Sequence, residues 1–221
     1  MAGELLQAAP KELDIADAVV RHRDRPEGPS IALGDIARHL APDSPVLGGR
    51  DPGLTAEAWF RADHMTYAYG VHIGVVRVDP ETGHVVVERF LIAYDIGRAI
   101  NPMMAGGQLA GGFAQGLGGA LCEEFVYDAR GEPLCTTLAY YALPNAGEVP
   151  PVEILLTEDA PSPLNPLGIK SVGEGGITGV GAALAAAIDD ALGIPGAVTQ
   201  LPATPQRIRT ILRAACDRKG G

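Results

Sequence analysis

Two runs of β-branched residues, at 71–78 and 85–93, flank Asp79-Pro80-Glu81-Thr82-Gly83. A Pro-x-x-Gly turn between such runs predicts a β-hairpin. The second strand runs out at Tyr94-Asp95-Ile96-Gly97, and Asn101-Pro102 breaks the chain ahead of a helix over 104–124. Earlier in the chain the pattern reads as short helix, hairpin and helix. Residues 19–23 pair with 29–31 across 25–28, and 33–40 forms a short amphipathic helix. A turn-rich stretch from 41 to 53 follows as a linker or loop, with a possible sub-domain boundary at 42–55. Downstream, 125–127 and 134–138 read as a second hairpin, and 152–158 as a strand with alternating faces. Helices are expected over 178–192, stopped by Gly193, and over 205–215, with Thr204 as N-cap and Pro205 at N1. The chain shows no internal repeat.

The helix over 104–124 is unusual in holding Gly106, Gly107, Gly111, Gly112, Gly116, Gly118 and Gly119. Each interior glycine costs about 1 kcal/mol of helix propensity relative to alanine. Close packing or a bound ligand must offset that cost. Gln108, Gly111, Gly112, Gln115, Gly118 and Gly119 recur at helical spacing and share one face. Two readings fit this smooth strip: contact with another helix through small residues, or a flat polar ligand lying on it. The two glutamines favour the ligand, because their amides both donate and accept hydrogen bonds.

Gly173-Glu174-Gly175-Gly176 sets one carboxylate among glycines, just ahead of an alanine-rich helix. Glycines permit sharp bends and close approach, and a carboxylate held there can serve as a general base. The alternative is that Glu174 decorates a helix start, favoured by the positive end of the helix dipole. The motif by itself leaves both open.

Composition narrows the functional classes. The 221 residues are 47% hydrophobic and 20% charged, as in a soluble globular chain able to bury a core. A formal charge of −10 argues against nucleic acid. Arg207, Arg209, Arg213, Arg218 and Lys219 read as a solvated helix face. Cys122, Cys135 and Cys216 are widely spaced, so no zinc or iron–sulfur ligation is expected within the chain, and reduced thiols in the cytoplasm are the simplest reading. Neither a signal-peptide core nor a membrane-length apolar run is evident. Lys170-Ser171 lacks phosphate-loop spacing, and Gly176-Ile177-Thr178-Gly179-Val180-Gly181 follows no strand as a dinucleotide turn requires. The five histidines all fall in the first 84 residues and in no catalytic motif; His72 reads as structural. Adjacent Glu123 and Glu124 point in different directions on a helix and read as a solvated helix end.

Three co-linear segments together resemble the molybdenum hydroxylase family, which comprises xanthine dehydrogenases, aldehyde oxidases and the large subunits of aerobic carbon monoxide dehydrogenases. The first runs from Asp79-Pro80-Glu81-Thr82-Gly83 to Tyr94-Asp95-Ile96-Gly97-Arg98-Ala99-Ile100-Asn101-Pro102. The second is Gly107-Gln108-Leu109-Ala110-Gly111-Gly112-Phe113-Ala114-Gln115-Gly116, continuing to Glu123-Glu124. The third runs from Pro163 through Pro166-Leu167-Gly168-Ile169-Lys170-Ser171-Val172-Gly173-Glu174. The likeness extends from about residue 10 to Leu212.

The resemblance implies an α+β fold of the molybdopterin-binding C-terminal type, with β-hairpins packed on glycine- and alanine-rich helices. It implies that residues 1–221 form the C-terminal portion of a molybdenum cofactor-binding domain. Glu174 would stand beside the metal as the general base. Gln108 would lie at the metal end of the cofactor and Gln115 on the same cofactor-facing helix, beside Gly111 and Gly112. The backbone of Lys170, Ser171, Val172 and Gly173 would complete the cradle; Ser171 stands where glycine or alanine is common. The cofactor expected is molybdopterin, in its cytosine dinucleotide form, with FAD and iron–sulfur clusters on partner chains. No protein side chain is expected to ligate the metal. The implied reaction oxidises an aldehyde or N-heterocycle with oxygen derived from water. Family subunits are much longer, so a larger molybdenum-binding partner chain is expected alongside iron–sulfur and FAD subunits. The competing readings are a non-catalytic cofactor-binding or assembly module and an inactive fragment.

Overall fold

The structure, a computed structural model, describes residues 1–219, the last two as backbone alone. The chain forms two compact units, Met1–Arg61 and Ala62–Gly221.

In the first unit, helix α1 (Ala2–Leu5) precedes strands β1 (Leu13–Ala16), β2 (Val19–His22) and β3 (Arg25–Ala32), followed by helix α2 (Leu33–His39). The strands form an antiparallel sheet in the order β1-β2-β3 over a core of Val20, Ile36 and Leu40. The expected pairing of 19–23 with 29–31 is present, since Val20 faces Ile31 and Arg21 faces Ser30. The turn, however, is not at 25–28. Strand β3 already begins at Arg25, paired with His22. Strand β1 escaped the pattern because its turn to β2 is built from Asp17 and Ala18, at φ 51° and 59°. Two left-handed residues suit a tight hairpin, but the usual signal for one is Asn-Gly or Asp-Gly, and alanine conceals it.

The second unit carries the expected hairpin as β4 (Tyr69–Val78) and β5 (Val85–Asp95), with a register shift at Val75/Val76. Asp79 closes the turn, accepting hydrogen bonds from Glu81 N–H (2.8 Å) and the Thr82 hydroxyl (2.8 Å). Strand β6 (Val152–Thr157) joins the other edge of β5 in parallel, giving the order β4-β5-β6. Helices α3 (Pro102–Leu121) and α4 (Val180–Leu192) cover one face. Their buried Leu109, Phe113, Leu117, Val180 and Leu184 meet Val87, Phe90 and Ile92 of β5. Helix α5 (Pro205–Lys219) adds Ile208 to a second cluster with Ile188 and Ala203.

The α+β expectation holds, and several details change. Helix α3 begins at Pro102, capped by the Asn101 side chain, which accepts from Met104 N–H at 3.1 Å. Helix α4 starts at Val180, two residues past the expected Thr178, and is stopped by Gly193 at φ 64°. The second hairpin does not form. Only a Tyr127–Pro133 bridge appears there, closed by Asp128 N–H to Glu132 O and Leu134 N–H to Val126 O, while Asp128 Oδ1 accepts from the Arg130 and Glu132 amides within the turn. The C-terminal arginines are not all solvated. Arg207 donates to Glu124 (2.6 Å) and to the Pro202 carbonyl (2.8 Å), and Arg209 donates to the Pro80 carbonyl. Glu123 accepts from the Tyr141 hydroxyl at 2.7 Å, so the Glu123-Glu124 pair consists of two separate structural anchors. The side chains of Arg218 and Lys219 lie outside the described residues.

The glycines of α3 divide by function. A Cβ on Gly112 would stand 2.8 Å from the Gly176 Cα, and one on Gly116 would stand 2.7 Å from the Val180 Cβ. Those two glycines let α3 press against the start of α4. Gly106, Gly107, Gly111 and Gly119 have nothing within 4 Å. Gly118 leaves the expected strip: it is buried against Glu123 and Pro144 at the helix end. Gly116→Ala is therefore expected to cost about 1–3 kcal/mol through overpacking. Gly106→Ala, with room and better propensity, should add about 0.5–1 kcal/mol. Urea unfolding midpoints that move in the same direction for both would contradict this division.

Candidate cofactor-binding site

Two of the three sequence segments meet at the carboxyl end of β5. Gly97, at φ 71°, follows Asp95 and Ile96, and its backbone lies against the Gly168 carbonyl so closely that no side chain would fit. Ile96 O accepts from Lys170 N–H at 2.8 Å. Asn165 pairs its side-chain amide both ways with the Ile169 backbone, at 2.9 and 3.0 Å, which shapes the loop from within.

At the centre of this junction, Lys170 Nζ donates to Asp95 Oδ1 at 3.0 Å, with the two side chains only 8% and 3% exposed. Burial alone would raise the Asp95 carboxyl. The Gly97 N–H, Lys170 and Ala160 N–H hydrogen bonds outweigh that effect and hold it below the ordinary carboxylate value. The Lys170 ammonium also lies over the Tyr69 ring, 4.6 Å from its centroid. The Lys170 side chain is thus a structural pin rather than a group offered to a ligand.

Beyond Lys170 the loop turns through the glycines to α4. Glu174 O accepts from Ile177 N–H and Thr178 N–H, both at 3.2 Å, and from the Thr178 hydroxyl at 2.7 Å. Gly175 is buried. A Cβ there would meet Tyr94 Cζ at 2.5 Å and Leu109 Cδ2 at 2.9 Å. Its carbonyl faces His72 Nε2 at 3.1 Å. A carbonyl only accepts, so Nε2 carries the proton, and Nδ1, buried and without a hydrogen-bond partner, is bare. Burial pushes the His72 pKa down, and the Gly175 bond only partly counters it. The His72 ring also packs beneath Gly179 and edge-on to Phe90, at a centroid distance of 5.9 Å. His72 is structural, as the sequence suggested; what the sequence did not show is that its partner is the Gly175 carbonyl of the glutamate loop.

These constraints leave Glu174 exposed while its flanking backbone is clamped. It lies six residues before the first residue of α4 and so outside that helix's first turn. The strip of α3 and the glutamate loop together line an open gap: Gly107, Gln108, Gly111, Gly112 and Gln115 on one side, and Gly173, Glu174 and Ile177 on the other. The other expected cradle residues sit apart from it. Lys170 and Val172 line an adjoining recess with Arg98, Met104 and Gln108, Ser171 is exposed, and Val172 packs on the core. Gln108 stands between the two recesses. Burial raises the pKa of Tyr94, beneath the loop, and the nearby Glu174 carboxylate adds to the shift. No group of three or more His, Cys, Asp or Glu side chains among the described residues could hold a bare metal ion.

Residues 1–150, which include Gln108 through Gln115 but not the glutamate loop, match the family model of the molybdopterin cofactor-binding domain. The chain belongs to the molybdenum hydroxylase family. It is 40% identical over 208 residues to the 6-hydroxypseudooxynicotine dehydrogenase complex subunit gamma of Paenarthrobacter nicotinovorans, which covers 94% of this chain and 26% of that protein. It is 37% identical over 178 residues to the carbon monoxide dehydrogenase large chain of Hydrogenophaga pseudoflava, covering 80% and 22%. Among solved structures, quinoline 2-oxidoreductase from Pseudomonas putida 86 superposes with a TM-score of 0.81 at 34% identity, covering 96% of this chain and 27% of that one. Reconstituted CO dehydrogenase from Oligotropha carboxidovorans superposes with a TM-score of 0.84 at 28% identity, covering 98% and 27%. The chain therefore spans about a quarter of the length of these relatives. No helix among the described residues is long and apolar enough to cross a membrane.

Removing either partner of the Asp95–Lys170 pair leaves a buried charge unpaired, so Asp95→Asn or Lys170→Met should each cost about 3 kcal/mol. Because the folded Asp95 carboxyl titrates below its unfolded value, its stabilisation is present above the ordinary carboxylate pKa of about 4 and is lost as pH falls further. Asp95→Asn should therefore flatten the acid limb of a stability-versus-pH curve; an unchanged limb would contradict this linkage. For the loop, His72→Leu should speed hydrogen exchange of the 175–178 amides about fivefold, matching a hydrogen bond worth about 1 kcal/mol. His72→Gln, which keeps a donor near the carbonyl, should restore part of the protection. Unaltered exchange in His72→Leu would remove His72 from the clamp.

Proposed function

We propose that this chain supplies two facing walls of a molybdopterin site in a molybdenum hydroxylase, with Glu174 as its general base. The observation that carries this reading is the open gap between the glutamine-bearing strip of α3 and the Glu174 loop. The residues present fit a flat, polar group. Gly107 and Gly111 meet nothing within 4 Å, so a planar ring system can lie against bare backbone there. Gln108 and Gln115 offer amide donors and acceptors at either side of Gly111, and Glu174 faces the same space. The cytosine dinucleotide form of the cofactor belongs to the proposal, and the adjoining recess that shares Gln108 offers additional surface for an extended ligand.

When bound, the molybdenum cofactor would supply the centre that accepts two electrons from the substrate. The chain's own contribution is proton management and positioning. The Glu174 carboxylate takes up the proton released as water-derived oxygen bonds to the electron-poor carbon of an aldehyde or N-heterocycle. Its backbone is held by His72, Tyr94 and the Gly176–Gly112 contact, so little reorganisation accompanies that transfer. The rest of the site, the iron–sulfur clusters and FAD come from partner chains, consistent with relatives about four times as long and named as subunits of complexes.

Two variants of the native complex test the assignment. Glu174→Gln should lower turnover of an oxidised aldehyde or N-heterocycle by about 10²- to 10⁴-fold while molybdenum content stays unchanged. Gly111→Phe, on an exposed helical position with open space around it, should leave the fold intact and deplete molybdenum and pterin. Full molybdenum content in Gly111→Phe would move the cofactor off this strip. Unchanged turnover in Glu174→Gln would leave a cofactor-holding role without a base.

A further inference from the structure

A sheet with one wet face ordinarily alternates apolar residues inward and polar residues outward. The β4-β5-β6 sheet departs from this rule. Its inner face packs on α3 and α4. On β4, Tyr69, Val71, Ile73 and Val75 point the other way and are 59%, 58%, 51% and 46% exposed. The register sets Val71 opposite Ala93 and Ile73 opposite Leu91, and β6 extends the row by placing Leu155, 55% exposed, beside Ala93. Soluble monomers rarely expose contiguous apolar patches of this kind. At one end the patch is bordered by two ion pairs, Arg77–Glu88 at 2.9 Å and Arg89–Glu153 at 2.7 Å. At the other, Tyr69 lies under Lys170, whose neighbours carry the Glu174 loop. An apolar centre with a polar rim is the anatomy of a protein interface. The rim charges are neutralised within the sheet, which offers little to a charged small ligand.

The greater length of the relatives indicates what covers this face. The chain spans 26% and 22% of the length of the two relatives and 27% of each of the two superposed structures, so about three quarters of each lies outside the match. We propose that the outer face of the β4-β5-β6 sheet, centred on Val71, Ile73 and Leu155, seats the polypeptide that carries the remaining part of the molybdenum-binding subunit. This inference rests on the functional reading above. It goes further in naming the surface, and it places the companion against the same strand end that pins the glutamate loop.

The test uses the native complex, with the photo-crosslinker p-benzoylphenylalanine replacing Ile73 or Leu155, and Glu81 in the exposed β4–β5 turn as a control position. Crosslinks from 73 and 155, but not 81, should map to polypeptide bearing the rest of the family's molybdopterin-binding sequence. In addition, Ile73→Lys, with an unchanged circular dichroism spectrum, should weaken association with that chain at least tenfold. Crosslinks to a second copy of this chain would make the face a homodimer interface and overturn the proposal. Crosslinks to an iron–sulfur or FAD chain, or none in an intact molybdenum-containing complex, would overturn it while leaving the Glu174 reading standing. The expected crosslinks in a complex devoid of molybdenum would support the docking face and count against the functional reading. Isolation of this chain alone would count against both.

Discussion

The candidate site depends on one backbone-to-backbone contact. Gly112 of α3 meets Gly176 so closely that neither can carry a side chain. Larger residues hold packed elements farther apart, at the 8–10 Å typical of helix axes. Here the helix and the glutamate loop touch through main chain, and the loop is drawn alongside the strip that holds Gln108 and Gln115. Val180, fully buried, continues the contact against Gly116 one turn later. Most of the remaining order in the loop follows from that approach. Gly175 is pressed onto Tyr94, its carbonyl is presented to His72, and Glu174, next in line, is left facing outward.

The second constraint acts from the opposite side. Strand β5 ends in Asp95, which collects the Gly97 and Ala160 amides and the Lys170 ammonium. A carboxylate desolvated to this degree would be costly in isolation. With three donors it becomes a node joining β5, the chain after β6 and the loop leading to Glu174. Lysine is an instructive choice at this node. Its long stem lets the charge reach inward from the loop to the strand end, and the same ammonium rests on Tyr69. The Glu174 carboxylate is thus held through partners of its neighbours, and its own oxygens are left to the gap.

Much of this was legible in the sequence where a single residue type signals its own geometry. The β4–β5 hairpin followed from β-branched runs around Pro80 and Gly83, the α4 stop from Gly193, and the α5 start from Thr204-Pro205. The glycine strip was legible as a strip, but its two uses were not separable. Gly112 and Gly116 serve packing, Gly107 and Gly111 face open space, and only the position of the 175–180 segment tells them apart. The same limit applied to Lys170 and His72. Each owes its role to a partner far along the chain, Asp95 in one case and Gly175 in the other, and neither periodicity nor local motif encodes such pairings. The failed hairpin at 125–138 shows the converse. Local β signals were present there, but most of the segment is exposed, and pairing stops at the single bridge beside the Asp128 turn.

Burial also explains why this chain resembles one side of a site more than a whole one. Its interior is well made: Phe90, Ile92, Leu109, Phe113, Leu184 and Ile188 are 1% exposed or less. Its periphery is not finished in the same way. Trp59 is 94% exposed, and aromatic and aliphatic side chains from Phe125 to Leu143 lie open alongside the bare sheet face. A chain selected to stand alone would replace such residues with polar ones at little cost to its core, since outward positions do not contribute to internal packing. The gap at Glu174 has the same character. It has two walls, both from this chain, and is otherwise open. An enclosed, water-poor environment is what makes a general base and its hydrogen-bonding neighbours effective. If Glu174 acts as proposed, the exposed surfaces and the open gap express one requirement, that the site be closed by further polypeptide.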